Sequence, residues 1–409
     1  MTDNERLAEL LFPNISWTPQ QYEEQYPARQ LPEGARVTRF SPSPTGYLHI
    51  GGLFAAMTAR LTAKATNGVF FLRIEDTDKK REVEGGVTAI VTGLAAFGIT
   101  PDEGITGLGT ESGVYGPYQQ SKRREIYQCF AKELVRQGLA YPCFCTEAEL
   151  TALREQQEAQ AVNKGYYGEW AACRNLAFCE QKQAVEAGKP YTLRLRSPGD
   201  ESRRILIDDL IKGKIEMPEN AQDIVLLKTD GIPTYHFAHA VDDHLMRTTH
   251  VVRGDEWIAS LPIHLQLFKC CGFKPPKYAH FAPIMKEENG GKRKLSKRKD
   301  PEAAVSYYIE QGYPKESVIE YLLTLANSNF EDWRRANKTA PQADFPFNLK
   351  KMSASGALFD LQKLNDVSKN VISLMTADEV YDRAVNWAQQ YDEALYRLLM
   401  ADEAFAKGI

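Results

Sequence analysis

An α/β fold on a parallel sheet is what this sequence predicts, with an insertion dividing the sheet and a helical domain following it. Three observations carry the prediction. A strand, a Pro/Ser/Gly loop, a helix and a second strand follow one another within residues 36–74. A Glu-, Gln- and Ala-rich stretch over 146–190 interrupts before strand-like runs return. After Asp300 the texture is helical to the end. Strand–loop–helix–strand is the unit from which parallel sheets are wound.

Taken in order, residues 1–35 are punctuated by Pro13, Pro19, Pro27 and Pro32 and fit no strand or long helix. Phe12, Trp17, Tyr22 and Tyr26 call for burial, so an extension packed on the body is expected. Arg36 to Phe40 alternates as a strand, Ser41 to Gly46 is the loop, and Gly52 to Ala65 has helical apolar spacing. Val69 to Ile74 is the second strand. Arg124 to Gly138 reads as a helix that Gly138 stops. Residues 146–190 predict helices outside the sheet. Strand-like runs recur at Tyr191 to Arg196, Ile224 to Lys228 and Thr249 to Arg253.

Composition narrows the function classes. The chain of 409 residues is 43% hydrophobic and 25% charged, ordinary for a soluble protein of about two to three domains. No apolar run approaches the roughly 20 residues of a membrane-spanning helix. The start, Met1 to Arg6, has no basic stretch leading into an apolar core, so no secretory leader is expected. Lys and Arg number 50 and Asp and Glu 54, a net charge of −4, which argues against coating nucleic acid and leaves room for local basic patches. Seven cysteines spaced for thiols or a metal, not for a disulfide framework, point to the cytoplasm.

Two segments carry chemistry. Between the first strand and helix, Ser41 to Gly52 would present helix N–H groups to a phosphate, with Gly51 and Gly52 allowing close approach. His49, one turn from the helix start, is placed to donate to a phosphate oxygen. On this segment alone, a tight turn with a core histidine fits equally well. The second segment, Gly291 to Lys299, is a basic run of the kind that is usually a solvated loop. Its Lys294-x-Ser296-Lys297 spacing allows two ammonium groups and a hydroxyl to close over a triphosphate.

The run from Arg39 through Ser41-Pro42-Ser43-Pro44-Thr45-Gly46 to His49-Ile50-Gly51-Gly52 resembles the first signature of glutamyl-tRNA synthetases, the "HIGH" region of class I aminoacyl-tRNA synthetases. Lys294-Leu295-Ser296-Lys297-Arg298 resembles their "KMSKS" loop. Further blocks match in the family's order: Arg73 to Asp78, Gly116 to Ser121, Tyr141 to Cys145, Pro233 to Ala238, Val241 to His244, Thr249 to Trp257 and Phe359 to Leu364.

The resemblance implies a Rossmann-like nucleotide-binding sheet in two halves, 36–140 and 222–300, after the extension 1–35. It implies an inserted tRNA acceptor-binding domain over 141–221, a helical stem-contact domain over 301–375, and over 376–409 the start of a truncated anticodon-binding region. The activity implied is ATP-dependent ligation of glutamate to tRNA(Glu) through glutamyl-adenylate, with magnesium, in a cytoplasmic monomer. Arg39 would face the side-chain carboxylate, Ser43 add a hydrogen bond, Glu75 accept the ammonium, Tyr235 line the pocket and Arg253 bind the α-carboxylate; His239 also falls in this pocket. His49, Lys294 and Lys297 would act on the phosphates, and Gly51, Gly52, Glu256 and Ser296 complete the ATP site.

Some residues depart from the family pattern. Gly52 stands where the name motif has a second histidine, Ser41 where alanine is usual, and His239 where a small or amide residue is common. Cys143-x-Cys145 with Cys173 is similar to the zinc knuckle of some members, but Asn175 stands where a histidine would be and Cys179 is the substitute on offer. No metal site is therefore expected. Two rival readings fall. The histidines from His236 to His250, beside Asp242 and Asp243, repeat no known ligand spacing, which argues against a hydrolytic metal centre. A tRNA-modifying paralogue would tend to lack the second lysine signature, which is intact here.

Overall fold

The computed structural model describes every residue except Leu108, Lys297 and Ile409. It begins with two short helices, α1 (Asp3–Leu11) and α2 (Pro19–Gln25), where the sequence reading expected no long helix. Each starts on a capping box, Thr2 with Glu5 and Thr18 with Gln21, and Pro19 sits at the start of α2, where a missing N–H costs nothing. Phe12, Tyr22 and Tyr26 are buried as expected, whereas Trp17 stays 45% exposed and meets Tyr22 at the surface.

The sheet follows: β1 (Val37–Phe40), α3 (Ile50–Lys64), β2 (Val69–Leu72), α4 (Gly86–Ala96), β3 (Glu103–Gly107) and β4 (Thr110–Ser112). The first three strands are parallel in chain order, with Val37 opposite Val69 and Phe71 opposite Glu103, and β4 turns back antiparallel. All of β1 is buried, as a strand covered on both faces must be. After α5 (Arg124–Arg136) the chain leaves this sheet through β5 (Ala140–Cys143), α6 (Glu147–Ala159), α7 (Phe178–Glu186) and β6 (Thr192–Leu195). A hairpin, β7 (Arg204–Asp209) and β8 (Gly213–Pro218), precedes β9 (Val225–Leu227). β5, β6 and β9 form a small antiparallel sheet.

The parallel fold resumes with α8 (Tyr235–Leu245), β10 (His250–Gly254), α9 (Leu261–Cys270) and β11 (Lys277–Phe281). β10 pairs in parallel with β11 and lies along the open edge of β1, where Thr249 N–H donates to the Val37 carbonyl at 3.0 Å. The chain crosses from β1 to β2 on one side and from β10 to β11 on the other. The crevice past the carboxyl ends of β1 and β10 is therefore a topological switch point, where α/β sheets bind ligands.

A hairpin of β12 (Met285–Glu288) and β13 (Gly291–Lys294) ends at the basic run. The rest is helical: α10 (Val305–Glu310), α11 (Lys315–Ala326), α12 (Phe330–Ala336), α13 (Leu361–Ile372), α14 (Ala377–Tyr391), α15 (Glu393–Ala401) and α16 (Glu403–Gly408). Val305 N–H donates to the Leu48 carbonyl at 3.1 Å, clasping this part to the loop before α3. Among the described residues no helix is long and apolar enough to cross a membrane.

Candidate active site

Arg39 at the end of β1, Arg253 at the end of β10, Glu75 just past β2 and Tyr235 opening α8 all face one cleft of about 1060 Å³. Ser43, His49, Gly51, Gly52, Glu256 and Lys294 line it as well, so the two signature segments meet at the switch point.

The polar floor is built from paired charges. Arg39 is 4% exposed; its Nε donates to both oxygens of Asp243, at 3.2 and 3.1 Å. No hydrogen bond from its terminal nitrogens to a described residue is formed, which leaves the fork open. Asp243 also accepts from Arg73 at 2.7 Å, and Arg73 donates to Glu75 at 3.0 Å. Asp242 accepts from Arg123 at 2.7 Å and from Gln120 and Tyr127, each at 2.8 Å. Three buried guanidiniums thus meet three carboxylates, the pairing that makes burial of charge tolerable. Burial works against ionised Asp243, but the charges of Arg39 and Arg73 hold its carboxyl well below the usual range. Burial pushes Glu75 up, against the pull of Arg73 and Arg39.

Arg253 is held differently. Nε donates to His280 Nε2 at 3.0 Å, one terminal nitrogen to the Tyr235 hydroxyl at 3.1 Å, and the other lies 3.2 Å from His264 Nδ1. The Tyr235 and Trp257 rings pack 4.3 Å apart beside it.

At the start of α3 His49 is the cap, and its Nδ1 accepts the Gly51 N–H at 2.9 Å. In a neutral ring the proton then sits on Nε2, as a donor. A Cβ at Gly51 would stand 3.2 Å from that Nδ1, and one at Gly52 3.0 Å from Leu48 Cδ1, so larger residues would crowd the turn. Lys294 Nζ lies 3.7 Å from Glu256 Oε1. Asp300 braces the basic loop, accepting both terminal nitrogens of Arg293, at 2.6 and 2.8 Å, and the Ser296 N–H at 2.9 Å. Ser296 does not line the cleft. Lys297 lies outside the described residues.

His239 differs from its expected place. It is fully buried and forms no part of the cleft wall. One helical turn beyond Tyr235, it stacks behind that ring at 5.9 Å, within 2.8 Å of Asp243 and 3.1 Å of the Tyr278 hydroxyl. Burial pushes its pKa down to about 3, so the ring is neutral. A substrate contact gives way to a place one layer back. His244 and His250 lie elsewhere, the former against Glu23 and Phe273.

Asp243, Arg73, His264, His280 and Trp257 were not assigned roles from the sequence. Adjacent Asp242 and Asp243 inside a helical apolar pattern were the available signal.

Away from the cleft, the Sγ atoms of Cys143, Cys145 and Cys173 lie within 4.8 Å of one another. Cys145 and Cys173 sulfurs are 3.6 Å apart. Asn175 turns to Arg196 and Cys179 is exposed, so neither completes the set. Tyr166 does: its hydroxyl is 3.2 Å from Cys145 Sγ and accepts the Cys173 N–H at 2.9 Å. Three thiols are ordinary zinc donors, and the phenolic oxygen offers a fourth position beside them. A hydrogen bond from Cys173 pulls the Cys143 thiol down and holds the Cys173 thiol up, while burial raises Cys145 and Tyr166.

Residues 36–366 match the family model for the catalytic domain of class I tRNA synthetases of the E and Q type. The chain is 55% identical over 405 residues to a glutamate–tRNA ligase of Clostridium perfringens, covering 99% of this chain and 74% of that one. It is 53% identical to one from Acetivibrio thermocellus, covering 97% and 73%. A crystal structure of a glutamate–tRNA ligase from Elizabethkingia meningosepticum, in complex with its amino acid, superposes with a TM-score of 0.77 at 33% identity, covering 91% of this chain and 77% of that one.

Proposed function

The chain belongs to the class I tRNA synthetases of the E and Q type and joins glutamate to tRNA using ATP, and we propose that it does so through a glutamyl-adenylate formed in the cleft between β1 and β10. The observation that carries this reading is the meeting of Arg39, Arg253 and Glu75 with the His49-capped end of α3 and Lys294 in one cleft.

The two guanidiniums match the two carboxylates of glutamate, since each fork can give parallel hydrogen bonds to a carboxylate. Glu75 takes the ammonium, while Tyr235 and Ser43 close the sides. Held in this way, the substrate's α-carboxylate oxygen attacks the α-phosphorus of ATP. The new O–P bond forms as the bond to the bridging oxygen breaks, and pyrophosphate leaves. No general base is needed, because the nucleophile is already ionised. Charge that builds on the phosphates meets the positive end of the α3 dipole, which Gly51 and Gly52 leave open to close approach, the His49 Nε2–H and Lys294. Glu256, Ser296 and Lys297 belong to the same ATP site by their motif positions. Magnesium enters with the nucleotide as part of the substrate. In the second step a ribose hydroxyl at the 3′ end of tRNA(Glu) attacks the acyl carbonyl and AMP leaves.

We assign residues 36–140 and 222–300 to the catalytic part and 141–221 to the acceptor end. Residues 301–375 take the stem, and 376–409 fall to the anticodon-reading region. Zinc on Cys143, Cys145, Cys173 and Tyr166 would tie β5 to the turn before α7 as a structural crosslink. The test is charging of transcripts for glutamate, glutamine and aspartate tRNAs, with glutamate-dependent exchange of pyrophosphate into ATP measured alongside. Glutamate esterified to the 3′ end of tRNA(Glu) is expected. Glutamate attached to a base, or no exchange with tRNA present, would sink the reading.

A further inference from the structure

Among the described residues, Arg253 pairs with no carboxylate, in contrast to Arg39, whose Nε rests on Asp243. Its Nε–H is received by a neutral imidazole, His280 Nε2, at 3.0 Å. A ring nitrogen accepts only when it carries no proton, so the His280 proton sits on Nδ1. There it is given to Asp209 Oδ2 at 2.6 Å. Asp209 is the last residue of β7, in the inserted hairpin, and is 2% exposed. Its carboxylate is fixed in turn by the N–H groups of Ile211 at 3.0 Å, Lys212 at 2.9 Å and His280 at 3.2 Å. Leu210 N–H, donating to the Tyr278 carbonyl at 2.9 Å, docks the hairpin on β11.

We propose that Asp209 and His280 are positioning residues for Arg253: Asp209 selects the His280 tautomer, and His280 aims the guanidinium at the substrate carboxylate. This rests on the assignment of Arg253 to a carboxylate of glutamate. The interposed ring supplies orientation without neutralisation. A carboxylate placed directly on Arg253 would cancel part of the charge that the substrate needs, and a neutral imidazole does not. Were the proton on Nε2, two N–H groups would face each other across 3.0 Å and Arg253 would turn away. The inserted hairpin thereby fixes part of the amino-acid site.

The experiment compares D209N, H280Q, H280F, R253Q and R253Q/H280F by KM for glutamate and for ATP in pyrophosphate exchange with tRNA present, with thermal midpoints recorded. H280F removes both hydrogen bonds and is expected to raise the glutamate KM about tenfold, with the ATP KM changed by less than about twofold. H280Q, whose amide can accept from Arg253 and donate to Asp209, should recover most of the loss. D209N, which also admits the wrong tautomer, should fall between, and decides the matter if H280F does not fold. R253Q/H280F should be no worse than R253Q, since one acts through the other. H280F and D209N leaving the glutamate KM unchanged while R253Q raises it overturns this inference alone, as do equal rises in both KM values or additive losses. R253Q leaving the glutamate KM unchanged overturns the assignment of Arg253 itself, and this inference with it.

Discussion

Arg39 shows how one side chain can be both fixed and available. Its inner edge is spent on Asp243 and its outer fork faces the cleft. A lysine has one point charge and cannot do both. Arg39→Lys is therefore expected to raise the glutamate KM at least about tenfold, with the ATP KM nearly unchanged in pyrophosphate exchange; equal rises would mean that Arg39 only supports the fold. Arg39, Glu75 and His49 were legible in the sequence because each stands inside a contiguous signature. Asp243 and Asp209 were not. Their partners lie 204 and 71 residues away, and no local pattern encodes which carboxylate meets which cation.

Two elements, α8 and α9, carry His236, His239 and His264, and His280 stands on β11. Burial pushes all four below their ordinary value of 6.5. The unfolded chain therefore takes up protons near pH 6.5 that the folded chain refuses. Stability falls as the pH drops below 6.5, and for His239 the loss continues down to about 3. Each histidine can contribute up to about 1.4 kcal/mol per pH unit. The urea midpoint should thus be clearly lower at pH 5.5 than at pH 7; a flat profile would mean that these rings are charged when folded.

In the inserted segment, the purified chain should hold about one zinc by elemental analysis, as a single closed site would. Cys145→Ser should lose the metal and Tyr166→Phe hold it more weakly. Metal content unaffected by Cys145→Ser would dismiss the cluster. The elements best read from sequence were those bounded by breakers and patterned by burial, such as β1, α3 and α5. β7 and β8 escaped because most of their residues are exposed and charged side chains interrupt the apolar ones. α1 and α2 escaped because they are short, nine and seven residues, in a stretch punctuated by four prolines.

At the scale of the molecule, the N-terminal extension braces the back of the site. Arg29 clamps Glu103 at 2.7 and 2.9 Å, and Glu23 pairs with His244 and Arg247 at the far end of the helix that carries Asp243. Deleting residues 1–35 uncovers these partners. The thermal midpoint is expected to drop by several degrees and the glutamate KM to rise, with calorimetry and exchange kinetics as the measurements. An unchanged KM would restrict the extension to stability.

The edge-to-edge meeting of β1 with β10 also bears on how the chain is born. Thr249, which closes the open side of β1, follows Val37 by 212 residues. At a synthesis rate of about 5–20 residues per second, roughly 10–40 s pass before it leaves the ribosome. Through that interval β1 is an exposed edge strand, the kind that pairs with other chains, and Arg39 has no Asp243 to hold it. The open edge of β1 is covered only once the second half of the sheet has been made. A nascent chain carries the His49-capped end of α3 long before it carries Arg253 and Lys294, which share its cleft.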